Sequence, residues 1–365
     1  MRSNPSYPPA DRGIGRGNAV LKRSMLQDHV DEKDLALINA LQVTPRASWT
    51  QLGRALELDP VTVARRWERL TETGLAWVTC VVGPALHSEF CMAYVEIECA
   101  PGRLDHIAAA LSTEPQVRYV HHITGPYGLL VVIALRTPAE VSAYLRRSVG
   151  PIPGVQAYRA EMRTAGYSEA SRWRLRSLER SQQHALESAD AQPVTAGAVR
   201  VDGVDRELYR LLHEDGRKPF TLLADRAGIS EPTARRRVKR LLANRLLRLR
   251  CEVAQSITGW PDTAVLWASV PPEHLEPTAR SLAALPDVRL CCALAGQRNL
   301  LLVVWLRSLG DLPRLEAVIS ERSPHVTVVD RAACLHTVKQ MGRLLDGEGR
   351  SAGHVAPNTE VLAAS

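Results

Sequence analysis

Residues 223–241 read LADRAGISEPTARRRVKRL, and residues 52–70 read LGRALELDPVTVARRWERL. The two stretches lie 171 positions apart, inside a longer pair, 30–82 and 201–253, that aligns without a gap. Asp31, Asp34, Leu37, Leu41, Arg46, Leu52, Leu70 and Leu75 all recur at that offset. So do Thr50, Thr62, Arg65, Arg66 and Arg69, which return as Thr221, Thr233, Arg236, Arg237 and Arg240. A period this long excludes a solenoid of about 20–50-residue repeats and makes one chain resemble a dimer. Within the first copy apolar residues fall at helical spacing three times: Leu37, Ile38 and Leu41; Leu52, Ala55 and Leu56; Val63, Trp67 and Leu70. Asp59 before Pro60 places an N-cap and a first-turn proline at the start of the third helix. Ser230 takes the capping position in the second copy, after Gly228 in the turn. Asp31 and Asp202 are N-caps for the first helices.

Beyond each three-helix unit lie a short apolar strand (76–82, 247–253) and then an alternating pattern. Residues 91–98 alternate as a strand, and Leu104, Ile107, Ala108 and Leu111 have helical spacing. Residues 116–124 and 129–136 read as strands around a Gly-Pro-Tyr-Gly turn, 141–149 as a helix and 154–162 as a closing strand. The order is βαββαβ, a ferredoxin-like unit. Val117, Gly125, Leu129 and Val155 match Val288, Gly296, Leu300 and Val326 at the same offset, so the repeat spans the whole module. The expected fold class is α+β, two repeats, each a winged or plain helix-turn-helix unit followed by a ferredoxin-like domain. The expected domains are a disordered N-terminus (1–29), first helix-turn-helix (30–82), first ferredoxin-like domain (83–165) and linker (166–200). The second helix-turn-helix (201–253), second ferredoxin-like domain (254–345) and a disordered tail (346–365) follow. Within the linker, Trp173 to Leu186 is expected as a polar helix and Ala189 to Ala198 as flexible chain.

With 45% apolar residues the chain can bury real cores. No apolar run approaches the ~20 residues that cross a bilayer. The N-terminus has basic residues but no apolar core segment, so no secretory signal is expected, and a cytoplasmic location is. Seven cysteines without CxxC spacing read as reduced, buried thiols. Net charge is +7 but uneven: residues 30–82 hold six basic and seven acidic side chains, residues 201–253 thirteen and eight. A local basic patch of this kind suits a polyanion.

The third helices carry the chemistry. Opposite the apolar face, the first shows Thr62, Arg65, Arg66 and Arg69. The second shows Thr233, Arg235, Arg236, Arg237, Lys239 and Arg240. A helix fits the major groove, arginine can bond a guanine edge through two N–H groups, and threonine can contact phosphate or a thymine methyl. Thr50 and Thr221, near the start of the preceding helix, are further phosphate candidates. Residues 223–230, followed by Thr233, Arg236, Arg237, Val238, Arg240 and Leu241, resemble the helix-turn-helix of the Lrp/AsnC (leucine-responsive, asparagine) transcriptional regulators. The βαββαβ unit is similar to that family's effector-binding and oligomerisation domain. The resemblance implies double-stranded DNA as partner, sensing of an amino acid or other small molecule, and a homo-oligomer built from pseudo-dimeric chains. The sequence has no GxSxG, Walker loop, HExxH or zinc spacing, so no catalytic residues, metal or cofactor are expected. The family's turn between the second and third strands commonly reads Gly-x-x-Asp. Here the residues are Gly125 and Gly128, then Gly296 and Asn299, so the aspartate is absent from both candidate effector turns.

Two other readings use the same scaffold. Siroheme decarboxylases resemble this family in fold and need His and Arg side chains around a polycarboxylate tetrapyrrole. His121 and His122 stand just before the Gly125 turn, whereas the second repeat has Cys292 and Ala293 there. The other reading is a ligand-independent protein that organises DNA. Charge favours the second unit as the stronger DNA-binding head.

Overall fold

Val155–Ser168 (β5) and Thr327–Gln340 (β10) run past the ends of their own sheets, and the architecture follows from them. The structure is a computed structural model that describes residues 30–168, 175, 177–190 and 200–362. The expected disordered segment 1–29 and positions 191–198 of the linker lie outside the described residues. The first half of β5 pairs with Cys91–Cys99 (β2), and its second half, from Met162, pairs with Val288–Ala295 (β8) of the other module. In the same way β10 pairs first with Asp262–Ser269 (β7) and then, from Cys334, with Val117–Ile123 (β3). Leu129–Leu135 (β4) lies between β3 and β2, and Leu300–Leu306 (β9) between β8 and β7. The circuit β10-β3-β4-β2-β5-β8-β9-β7 therefore closes on β10. Each long strand covers the edge of the other module's sheet with its second half, while its first half keeps one side without a strand partner among the described residues.

The helices Leu104–Ser112 (α4) and Pro138–Tyr144 (α5) cover the outer face of the first sheet. Pro272–Ala283 (α10) and Leu312–Arg322 (α11) cover the outer face of the second. Alternation along β2 sends Ala93, Val95 and Ile97 to α4 and α5, while Tyr94 turns to the opposite sheet. Tyr94, Leu130, Val132, Val265, Trp267 and Leu301 meet in a core between the sheets. That accounts for the unbroken apolar runs at 129–135 and 300–306: each strand is covered on both faces. The partner surface that Leu300–Leu306 requires is thus supplied by the same chain.

The three-helix units are Glu32–Val43 (α1), Trp49–Leu56 (α2) and Pro60–Glu72 (α3), then Gly203–Glu214 (α7), Phe220–Ala227 (α8) and Glu231–Ala243 (α9). The strands that follow, Ala76–Val82 (β1) and Leu247–Val253 (β6), do not fold back as wings. They pair with each other, antiparallel, from Ala76 opposite Val253 to Val82 opposite Leu247. Cys80 and Val82 consequently enter the core of the second unit, and Cys251 and Val253 enter that of the first. Two arginines that recur in the sequence lock this exchange. Arg46 donates to the carbonyls of Gly216 (2.6 Å) and Lys218 (3.0 Å). Its counterpart Arg217 donates to those of Pro45 (2.7 Å) and Ala47 (3.0 Å).

The ends differ from expectation. The linker helix is Arg180–Asp190 (α6), later than the expected 173–186, and its Leu186 is buried in the first unit's core. After Arg343–Leu345 (β11), at the end of the expected second ferredoxin-like domain, the expected disordered tail forms Ser351–His354 (β12) and a short turn that buries Val361 and Leu362 in the second unit's core. Ser351 also donates its N–H to the Gly74 carbonyl (2.9 Å). Strands of three and four residues are too short to show a period.

This tail packs His354 against His213, Nε2 to Nδ1 at 2.7 Å. Burial, and then Arg118 for His213 and Arg343 for His354, hold both imidazoles neutral; His354 is pushed down to about 4. His121, half-buried and desolvated, is shifted the same way. Above the ordinary value of 6.5 neither folded nor unfolded chain carries these protons. As pH falls from 6.5 towards about 4, the unfolded chain takes up protons that the folded chain excludes, so stability falls through that window. Urea midpoints should drop between pH 7 and pH 5, and His354→Asn should reduce the drop. Equal pH dependence in both proteins would contradict this assignment.

Candidate nucleic-acid interface

The third helices are built as their sequences suggest. Val63, Trp67 and Leu70 face the first core, and Ala234, Val238 and Leu241 the second. Asp59 caps α3 through the N–H groups of Val61 (2.9 Å) and Thr62 (3.4 Å). Ser230 stands at the N-cap of α9, but its hydroxyl donates to Thr233 Oγ1 (2.9 Å) instead of capping the backbone. The turns into the two helices use equivalent left-handed residues, Glu57 at φ 55° and Gly228 at φ 65°. Glycine adopts that conformation without Cβ strain, whereas Glu57 carries a cost of roughly 1–2 kcal/mol. That substitution is one reason the first unit looks less typical.

The arginines divide into two groups by what they touch. Arg66 donates to Asp31 and Asp34 (2.9 Å each), and Arg69 to Asp34 (2.5 Å). The second unit repeats this: Arg237 bonds Asp202 (2.8 Å) and Asp205 (3.1 Å), and Arg240 bonds Asp205 (2.6 Å). Asp34 and Asp205 are wholly buried and also complete the capping boxes of α1 and α7. A buried carboxylate needs such partners, because its desolvation is otherwise prohibitive. Four of the arginines expected at DNA therefore tie the third helix to the first. The signal was in the sequence: the aspartates recur together with these arginines.

Arg65 and Arg236 remain exposed, with no ion pair recorded among the described residues. Thr62 and Thr233 are half-buried beside them, and Thr50 and Thr221 are exposed. Arg235 pairs with Glu231 (2.7 Å) and stacks on Phe220, 4.4 Å from the ring centre. Arg235 and Lys239 open onto a cleft lateral to the helix.

The two candidate effector turns have diverged. At Gly125 (φ 101°) no atom stands within 4 Å of where a side chain would begin. In the second turn Asn299 is committed: its Oδ1 accepts from the Val270 N–H (2.9 Å) and its Nδ2 donates to the Val270 carbonyl (2.7 Å). A Cβ placed at Gly296 would stand 3.5 Å from Glu161 Oε1. Between them Arg298, which sequence reasoning passed over, is buried against Glu96 and Glu161 of the first module. Its equivalents are Tyr127 for Arg298, Trp267 for Glu96 and Ala332 for Glu161, so the clamp exists once.

Of the histidine pair, His121 is half-buried, stacked on Tyr119 and 3.0 Å from Thr337 Oγ1; desolvation, then His336, pushes it down to about 4. His122 lies opposite His336 on the neighbouring strand. His121 and the buried Arg289 border a cavity of about 50 Å³ between the sheets. Sites for drug-sized ligands are typically about 300–1,000 Å³.

These features define a tandem helix-turn-helix protein whose ferredoxin-like domains share one closed sheet. Residues 30–71 and 201–242 match the AsnC-type helix-turn-helix domain, and residues 92–170 match the Lrp/AsnC ligand binding domain. Both helix-turn-helix units are thus of AsnC type and the first ferredoxin-like domain is of Lrp/AsnC type, while the second ferredoxin-like domain repeats its strand and helix order. An uncharacterized HTH-type transcriptional regulator of Pyrococcus abyssi is 28% identical over 147 residues, 40% of this chain and 91% of that protein. The HTH-type transcriptional regulator FL11 of Pyrococcus horikoshii is 26% identical over 128 residues, 35% of this chain and 84% of its own length. Among solved structures, the siroheme decarboxylase NirDL has the same fold across 91% of this chain and 96% of its own, with TM-score 0.57 and 12% identity.

The two classes of arginine should separate in experiment. Arg237→Ala leaves the buried Asp205 short of a partner and should cost the second unit roughly 2–4 kcal/mol. Arg236→Ala should change stability by under about 0.5 kcal/mol. Denaturant midpoints check both; equal losses would contradict the division.

Proposed function

We propose that this protein is a DNA-binding transcriptional regulator of Lrp/AsnC type with two unequal reading heads. The observation that carries this reading is the pair Arg65 and Arg236. They occupy equivalent exposed positions on the third helices, and no carboxylate is recorded against either among the described residues. Arg236, Thr233 and Thr221 form the DNA-facing set of the second unit; Arg65, Thr62 and Thr50 form that of the first. The second unit also stands in a field of +5, against −1 around the first, from thirteen basic and eight acidic side chains against six and seven. Charge of this kind governs both affinity and its salt dependence. Sensing of an amino acid or other small molecule is assigned to the first turn, at Gly125 and Gly128. Arg298 and Asn299 fill the second. Self-association is assigned to the first halves of β5 and β10, where Tyr158 and Val329 are exposed at equivalent positions. In a salt-titrated binding assay on an operator recovered by selection, Arg236→Ala should weaken binding by about 1–3 kcal/mol and Arg65→Ala by less. Equal losses would contradict the inequality of the heads.

The fold shared with NirDL favours a second reading, an enzyme acting on a tetrapyrrole. The 50 Å³ space between the sheets argues against it. Incubation of the purified chain with siroheme, followed by mass spectrometry, should return siroheme unchanged. Loss of carboxyl groups as carbon dioxide would replace the regulator reading with the enzyme.

A further inference from the structure

A cleft of about 660 Å³ runs between the second unit's α9, the β6 strand and the 43–46 loop of the first unit. Four cations line it: Arg46, Arg235, Lys239 and Arg248; its lining includes no Asp or Glu. Its floor is apolar, formed by Val43, Val238, Leu242, Leu247 and Leu249. Arg46 is fixed in place. It donates to two carbonyls and stacks on Phe220, 4.3 Å from the ring centre, while Arg235 stacks on the same ring. Lys239 is exposed, and no partner is recorded for it among the described residues.

The duplicated frame supplies an internal control. At the equivalent positions Arg235, Lys239 and Arg248 become Ala64, Glu68 and Trp77, and Val43 and Ala243 become Glu214 and Glu72. Only the arginine pair Arg46 and Arg217 is common to both cationic sets. Three carboxylates therefore stand on one side where the other has a lysine and two apolar groups. The cleft is a property of these side chains and not of the fold.

We propose that this cleft binds a small amphiphilic anion, a carboxylate or phosphate head on an apolar body. The head would sit among Lys239, Arg235 and Arg248, and the body would cover the floor. The volume lies within the ~300–1,000 Å³ range of small-molecule sites, and an apolar lining with a few placed charges is their usual composition. Burying a chain of methylenes contributes about 0.8 kcal/mol for each one fully removed from water. A DNA phosphate would gain nothing from the apolar floor, and Arg46, held by its carbonyls, cannot swing out to a duplex. Such a ligand touches the loop of the first unit and the third helix of the second together. Its binding is thereby linked to the docking of the two heads. The proposal stands apart from DNA recognition by Arg65 and Arg236.

Calorimetry on the full chain with octanoate and octyl phosphate tests it, with octanol as the uncharged control. At least one of the two anions should bind saturably at one site per chain, at least tenfold tighter than octanol. Lys239→Glu should weaken that binding at least tenfold, and Ala243→Trp, which fills the cleft while keeping its cations, should abolish it. Glu68→Gln, at the equivalent position, should leave it unchanged, and urea midpoints should show every variant folded. Absence of saturable binding by either anion, or binding unaffected by Lys239→Glu and Ala243→Trp, would overturn the proposal. So would variants that change DNA affinity alone, which would assign the cleft to the phosphate backbone. Arg236→Ala in the same DNA assay reports separately on the regulator reading.

Discussion

Two strands that each belong to two sheets hold this molecule together. β5 and β10 begin in one ferredoxin-like domain and end in the other, so neither sheet is complete without its partner. Backbone hydrogen bonds that would face water at a sheet edge are instead made across the module boundary. The inner faces of both sheets then become a single core around Tyr94, Trp267 and Leu301. The exchange of β1 and β6 and the reciprocal bonds of Arg46 and Arg217 apply the same principle to the helical units. The covalent chain thereby makes permanent a contact that separate modules would make only by association.

Permanence frees the two halves to differ. In a symmetric dimer any side chain appears twice, so a cation added to one cleft is added to both. Here Arg298 meets Glu96 and Glu161 in one half, whereas Tyr127, Trp267 and Ala332 hold the equivalent places in the other. One third helix borders an apolar, cation-rimmed cleft, and its counterpart carries Glu68 and Glu72 at the matching sites. The structural residues have not diverged: the capping aspartates, the arginines that satisfy them and the two cross-module arginines recur, as does the exposed pair Arg65 and Arg236.

That division explains what could be read from the sequence. Helical spacing located the inward faces of α3 and α9, and alternation located the sheets, because burial imposes a period. A period shows which face a residue occupies but not what it touches, so the bonds of Arg66, Arg69, Arg237 and Arg240 to Asp31, Asp34, Asp202 and Asp205 were not read from it. Recurrence of the acids with the bases was the available clue. The pairing of β1 with β6 was not legible, since a strand's partner is not written in its own alternation. Arg298 gave no signal: a lone arginine in a turn looks solvated, and its carboxylates lie 137 and 202 residues away. The tail was missed because one strand of four residues and two buried side chains leave no pattern.

The central claim is that one chain presents two heads of unequal grip. Hydroxyl-radical footprinting of a selected operator at rising salt tests it most directly. The account predicts two protected segments about one helical turn apart, with one surviving to distinctly higher salt, because the heads differ in phosphate attraction. Arg236→Ala should remove the salt-resistant segment first. Two segments that fade at the same salt concentration, or the loss of both together in that variant, would contradict it.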